Sequence, residues 1–109
     1  MMAKAAVYNN GVLAGYLEKL GPDEYCFTYV ETYLADSLLL SISLTLPKVK
    51  TKHESPVLFS FFTGLLAEGI NKDIQCRLLK IDEADDFTRL LKTAGEDTIG
   101  AITVKEINE

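Results

Sequence analysis

Ala5-Ala6-Val7-Tyr8-Asn9-Asn10-Gly11-Val12-Leu13-Ala14-Gly15-Tyr16-Leu17-Glu18 holds two extended runs on either side of an Asn-Gly pair. Asn-Gly is the preferred centre of a type I′ hairpin turn, because both of its residues accept positive φ. The stretch therefore predicts antiparallel pairing of 5–8 with 12–18. It decides the fold, since a hairpin at the start commits the chain to an antiparallel sheet that later segments must extend or cover. In the return strand Leu13, Gly15 and Leu17 fall on one face, and Val12, Ala14 and Tyr16 on the other.

Working outward, Gly21-Pro22-Asp23 supplies a second turn. A third strand follows from Glu24 to Val30, with Tyr25, Phe27 and Tyr29 on a single face at period two. Glu31 to Ser37 reads as a turn or a short helical piece. Leu38 to Leu46 then shows the cleanest alternation in the chain: Leu38, Leu40, Ile42, Leu44 and Leu46 on one side, Leu39, Ser41, Ser43 and Thr45 on the other. That pattern predicts a half-buried strand ended by Pro47.

The period then changes. Ser55 and Pro56 read as an N-cap followed by proline at the first helical position. Leu58, Phe61, Phe62, Leu65 and Leu66 fit the spacing of a helix with one buried face, ended or kinked at Gly69. Ile70, Ile74, Leu78 and Ile81 mark a second helix. A third is predicted to open in Asp82-Glu83-Ala84-Asp85-Asp86, where carboxylates meet the positive end of the helix dipole. Its apolar stripe is Phe87, Leu90, Leu91 and Ala94, with Gly95 as the C′ residue. A last strand, Ile99 to Val104, closes the chain before a polar tail. Helices grouped after strands indicate α+β: one domain over residues 1–105 with a mostly antiparallel sheet of about five strands, about three helices in the second half, and a tail over 106–109.

Size and composition agree with one globular unit. A chain of 109 residues fits one domain, and that length buries roughly 65% of its extended-chain surface. A hydrophobic content of 48% supports a real core, and 25% charged residues is ordinary. There are no repeats, linkers or low-complexity tracts. The formal net charge of −5 argues against nucleic-acid binding, which draws its affinity from Lys and Arg on phosphates. Lys48, Lys50, Lys52 and His53 make a local basic run, either a solvated loop or a dock for an acidic surface. The N-terminus lacks the apolar core of a signal peptide. No apolar stretch approaches the about 20 residues that span a bilayer. The reading is a cytoplasmic protein with reduced thiols.

The sequence offers little chemistry. Cys26 and Cys76 sit in apolar patterns, not in a paired metal-binding spacing. His53 is the sole histidine, and no motif sets a nucleophile beside it, although a pairing with Cys26 or Cys76 is the one enzymatic alternative. The acidic run at 82–86 lacks the spaced ligands and glycine of a calcium loop, and a helix start accounts for it. Gly11/Gly15 and Gly95/Gly100 match neither a phosphate loop nor a dinucleotide fingerprint. The expectation is no catalytic residue, no metal and no cofactor.

Several motifs in order carry a resemblance. Val7-Tyr8-Asn9-Asn10-Gly11 with Leu13-Ala14-Gly15 comes first, then Phe27-Thr28-Tyr29 leading to Tyr33-Leu34. Ser41-Ile42-Ser43-Leu44 with Leu46-Pro47 and Phe61-Phe62-Thr63-Gly64-Leu65-Leu66-Ala67-Glu68-Gly69 follow. Asp86-Phe87-Thr88-Arg89-Leu90-Leu91 and Gly95-Glu96-Asp97-Thr98-Ile99-Gly100-Ala101 complete the set. Together they resemble the N-terminal subdomain of HipA-type toxin kinases, including its "FF-x-x-LLPEG" signature, with Ala67 where the family has proline. Each motif alone is weak; the ordered set, spanning nearly the whole chain, is specific.

The resemblance implies a subdomain that normally precedes a serine/threonine kinase body and packs on its N-lobe. A chain stopping soon after Gly100-Ala101 further resembles the HipS-type small subunits of tripartite HipBST toxin–antitoxin systems. What it then implies is a non-catalytic antitoxin-like subunit restraining a HipA/HipT-type kinase, in a ternary complex with a helix-turn-helix HipB-like protein. The alternative is a structural subunit that completes or activates a split kinase. Leu66, Glu68, Gly69, Ile70 and Asn71 are the expected partner contacts, a carboxylate and an apolar residue around a flexible glycine. Phe61, Phe62 and Leu65 are expected to hold that tip from inside.

Overall fold

The hairpin forms where Asn-Gly predicts it: β1 (Ala3–Asn9) and β2 (Val12–Gly21) are joined through Asn10 and Gly11, with φ of 51° and 80°. The computed structural model describes residues 3–66, 69–82, 84–93 and 101–107. The β1–β2 ladder runs from Ala3↔Lys19 to Asn9↔Val12, with a bulge where Val7 pairs with Gly15 and Tyr8 with Leu13. The extra residue is Ala14, which is fully buried beside Gly15. Strict alternation along β2 therefore breaks at the bulge, as an inserted residue requires. Gly15 has no substitute there, since a Cβ would collide with the Thr28 carbonyl and stand 2.9 Å from Phe27 Cζ.

Pro22 and Asp23 turn the chain into β3 (Glu24–Tyr29), which pairs with β2 from Gly21↔Glu24 to Gly15↔Tyr29. Phe27 and Tyr29 are buried on the same face, as period two demands. α1 (Glu31–Ala35) is the short helical piece and buries Tyr33.

The fourth strand is not where the alternation put it. Leu38 to Leu46 is a loop with a single bridge, Ser43↔Leu46, and the edge of β3 is taken by β4 (Lys52–Ser55). The physical reason is local. Asp36 Oδ1 accepts the Leu38 N–H at 2.9 Å, and Ser43 Oγ accepts the Thr45 N–H at 3.2 Å. Short polar side chains thus offer the backbone turns in place of a ladder. The basic run, in turn, is part strand: Lys52 and Glu54 are exposed while His53 is buried, the charged pattern of an edge strand.

Among the described residues the sheet has five strands, all antiparallel, in the order β4-β3-β2-β1-β5, where β5 spans Ile102–Glu106. β5 pairs Val7↔Val104 and runs to Glu106, past the expected end at Val104, while Ile99 and Gly100 of the expected 99–104 lie outside the described residues; Ile107 N–H still donates to Lys4 O at 3.0 Å.

The first helix of the second half is also shorter than its periodicity suggests. Ser55 pairs with Tyr25 as the end of β4, and its hydroxyl accepts the Val57 N–H at 3.2 Å. It caps a bend, and α2 covers only Ser60–Thr63. Leu65 and Leu66 follow in i→i−3 turns, 3.1 Å each. Gly69 opens α3 (Gly69–Leu79) and does not end a helix. α4 (Asp86–Thr93) starts in the acidic run as expected: Asp85 accepts the Thr88 N–H at 3.1 Å and the Thr88 hydroxyl at 2.7 Å. Ala94 and Gly95 lie outside the described residues.

The architecture is α+β in one compact unit, with a radius of gyration of 13.7 Å against about 13 Å for a domain this long. The core lies between one sheet face and the α1, α2 and α4 layer. Tyr33, Tyr29, Phe27 and Phe62 form a continuous run of rings, 5.7, 4.9 and 5.8 Å between successive centroids. Phe87 meets Tyr25 edge-on at 6.0 Å and closes the α4 side.

Candidate functional site

The groups with reactive chemistry are placed in structural roles. His53 Nε2 lies 3.0 Å from Pro47 O, and its ring meets Tyr29 edge-on at 6.2 Å. His53 is 8% exposed, so the solvated-loop reading does not hold for it. Phe27 pairs directly with His53, so Cys26, its neighbour in β3, projects from the opposite sheet face. That removes a Cys26–His53 pair. Cys26 and Cys76 are both buried free thiols, Cys26 Sγ lying 3.5 Å from Thr28 Oγ1.

The described carboxylates of the acidic run are likewise spent on local structure. Asp82 accepts the Ala84 N–H at 2.9 Å, Asp85 caps α4, and Asp86 pairs with the buried Arg89 at 3.1 Å. Asp82, Asp85 and Asp86 line an open cleft of about 410 Å³ together with Asp23, Lys19 and Tyr25. Among the described residues no group of three or more His, Cys, Asp or Glu side chains is arranged to hold a metal ion. Nor is any helix among them long and apolar enough to cross a membrane.

The expected contact tip is distributed over three settings. Leu66 is 9% exposed and belongs to the core cluster, where it also lines a cleft of about 260 Å³ with Thr63, Gly64, Lys72 and Arg89. Glu68 lies outside the described residues, and Gly69 and Ile70 are described only as the first helical backbone of α3. Asn71 is exposed on that helix. Phe62 is fully buried, and Phe61 and Leu65 pack against the core. Further along α3, Ile74 and Leu78 are exposed, so these two positions of the expected apolar stripe face solvent, while Ile81 is half-buried.

A second surface was invisible to the sequence reading. The loop 36–51 presents Leu38, Leu44 and Val49 at 89%, 99% and 96% exposure, with Leu40 also exposed. It is firmly anchored from below. Tyr29 hydroxyl accepts the Ile42 N–H at 3.1 Å and donates to Leu46 O. Tyr33 hydroxyl donates to Leu40 O at 2.6 Å and accepts from Asn9 Nδ2 at 2.9 Å. Lys48 Nζ donates to Leu39 O at 2.6 Å and Asp36 O at 2.9 Å, and lies 5.1 Å from the centre of the Tyr33 ring. Burial holds the Tyr29 hydroxyl above its ordinary pKa of 10.0, opposed in part by hydrogen bonds from Ile42 and Ser41. The available signal was Tyr29 and Tyr33 themselves: buried tyrosines need partners for their hydroxyls, and a loop backbone is one source.

The class of protein is a small antiparallel α+β domain, with His53, Cys26 and Cys76 buried and several apolar side chains turned outward. Comparison with known proteins is specific on the family. The HipA N-terminal domain family matches residues 5–105, and the chain belongs to that family. Among solved structures it is similar to the N-terminal domain of HipA toxin, with a TM-score of 0.72 and 27% identity over 98% of this chain and 94% of that one. It is also similar to an uncharacterized protein of Haemophilus influenzae, 33% identical over 75 residues, 69% of this chain and 70% of the relative. The domain that defines the family is the non-catalytic part of HipA, and membership is consistent with a HipA-associated toxin–antitoxin component.

Proposed function

We propose that this protein is a non-catalytic, antitoxin-like cytoplasmic subunit that binds a HipA/HipT-type serine/threonine kinase and restrains it, in company with a helix-turn-helix HipB-like protein. The observation that carries the reading is family membership across residues 5–105, in a fold whose described nucleophiles and histidine are spent on packing and hydrogen bonds. The contacts are assigned to the turn between α2 and α3: Leu66, Glu68, Gly69, Ile70 and Asn71. Exposed Ile74 and Leu78 on α3 support an apolar contact in that region. An interface of the usual size, about 1,600 Å² in total, is within reach of a domain this small.

The test is co-expression with the HipA-type kinase of the same genome, followed by co-purification. Rescue of growth together with a stable complex is the expected outcome. Increased toxicity in the presence of a complex would instead assign the chain as a subunit that completes or activates the kinase. Absence of association at micromolar concentrations would end both versions.

A further inference from the structure

Single exposed leucines are ordinary on a protein surface, but Leu38, Leu40, Leu44 and Val49 crowd one loop. The loop is also fixed from beneath, with Ile42 and Leu46 buried in the core and polar groups holding its backbone. Its carbonyls and N–H groups are held by the hydroxyls of Tyr29 and Tyr33, by the Lys48 ammonium, and by Ser41 Oγ, which accepts the Lys48 N–H at 2.9 Å. Fixing a loop before it meets a partner removes the ordering entropy from the binding step. An apolar surface built in this way is organised for contact.

The charge around it selects the occupant. Lys50 and Lys52 are exposed at the end of the loop, in a chain whose net charge is −5. The loop's one carboxylate, Asp36, accepts the Leu38 N–H. A second copy docked by a two-fold axis through this loop would bring both copies' Lys50 and Lys52 into one interface, and crowding like charges disfavours such pairing. An apolar surface rimmed by carboxylates has no such conflict.

We propose that the loop 36–51 is a preformed docking surface, separate from the α2–α3 turn, and that it receives an apolar, carboxylate-rimmed surface of the HipA-type kinase. The identity of that occupant rests on the function proposed above. The experiment titrates the purified kinase with the full chain at low salt and at about 0.5 M salt, where exposed charges are screened. Leu38→Glu with Leu44→Glu raises Kd about tenfold or more, as loss of an apolar anchor does. Lys50→Glu with Lys52→Glu slows association about threefold or more at low salt, and the difference shrinks at high salt. All four side chains are exposed, so unchanged melting temperatures confirm that folding is intact. Wild-type Kd in both loop variants, with tight binding by the parent chain, overturns the loop surface and leaves the functional reading standing. No binding by the parent chain overturns the functional reading and the loop's occupant with it. A parent dimer that Leu44→Glu dissociates assigns the surface to a second copy and overturns the proposal.

Discussion

Tyr29 shows how much a single side chain is asked to do. Its ring stacks on Tyr33 and meets Phe27 edge-on, and its hydroxyl joins two points of the loop 36–51 that lie four residues apart. Tyr29→Phe keeps the ring and deletes the hydroxyl, which leaves the Ile42 N–H and the Leu46 carbonyl without it. We expect a loss of about 1–3 kcal/mol in urea unfolding, the cost of buried polar groups left unmet. The same residue sets an alkaline limit. Its folded pKa lies above the ordinary 10.0, because burial penalises the phenolate. Below pH 10 the hydroxyl is neutral in both states and its contribution is intact. Above it the unfolded chain ionises first, so stability falls until the pH passes the raised folded value. The stability gap between the parent and Tyr29→Phe is therefore widest below pH 10 and narrows above it, which thermal melts across pH 8–11 will show.

At the scale of elements, reading the sequence succeeded where the local signal and the tertiary demand agreed. The Asn-Gly hairpin is one such place, and the start of α4 is another. There Asp85 is both a good capping residue and the residue that caps. Asp85→Ala should cost about 1 kcal/mol, within the usual range of about 0.5–2 for a lost cap, read from the urea midpoint at constant slope. The readings that failed share a cause. Leu38 to Leu46 has the pattern of a strand, yet its Asp and Ser side chains capture the backbone in turns. Lys52 to Ser55 has the composition of a loop, yet it is the strand that completes the sheet. Ser55 and Pro56 look like a helix start, but Ser55 is already paired with Tyr25. In each case a segment was judged by its own side chains, while its state was set by which strand edge was free.

For the whole molecule, the run of rings from Tyr33 through Tyr29 and Phe27 to Phe62 ties α1, the sheet and α2 into one cooperative body. Phe62, fully buried, is the joint between the sheet and the helical layer. Phe62→Ala should destabilise by about 3–5 kcal/mol, as emptied aromatic core sites do. Against a total of about 5–15 kcal/mol for an ordinary domain, this leaves a protein that melts early and broadly. Calorimetry will read that loss directly, and a sharp transition near the parent temperature would show that the aromatic run is not the unit holding the layers together.

The candidate site was legible only in part. Phe61, Phe62 and Leu65 were read as the inner support of the α2–α3 turn, and they lie against the core. Leu38, Leu40 and Leu44 fall on the apolar side of the expected half-buried strand, yet they are exposed at 89%, 78% and 99%. An apolar residue announces that it wants a dry environment, but not whether its own fold or another molecule supplies it. By itself the sequence determined the hairpin, the first three strands, the α+β class and the family, because turn chemistry, periodicity and ordered motifs are local properties. Tertiary structure alone decided which segment became the fourth strand and which leucines met solvent. Edge pairing and burial depend on what the rest of the chain has already covered, and no local pattern contains that.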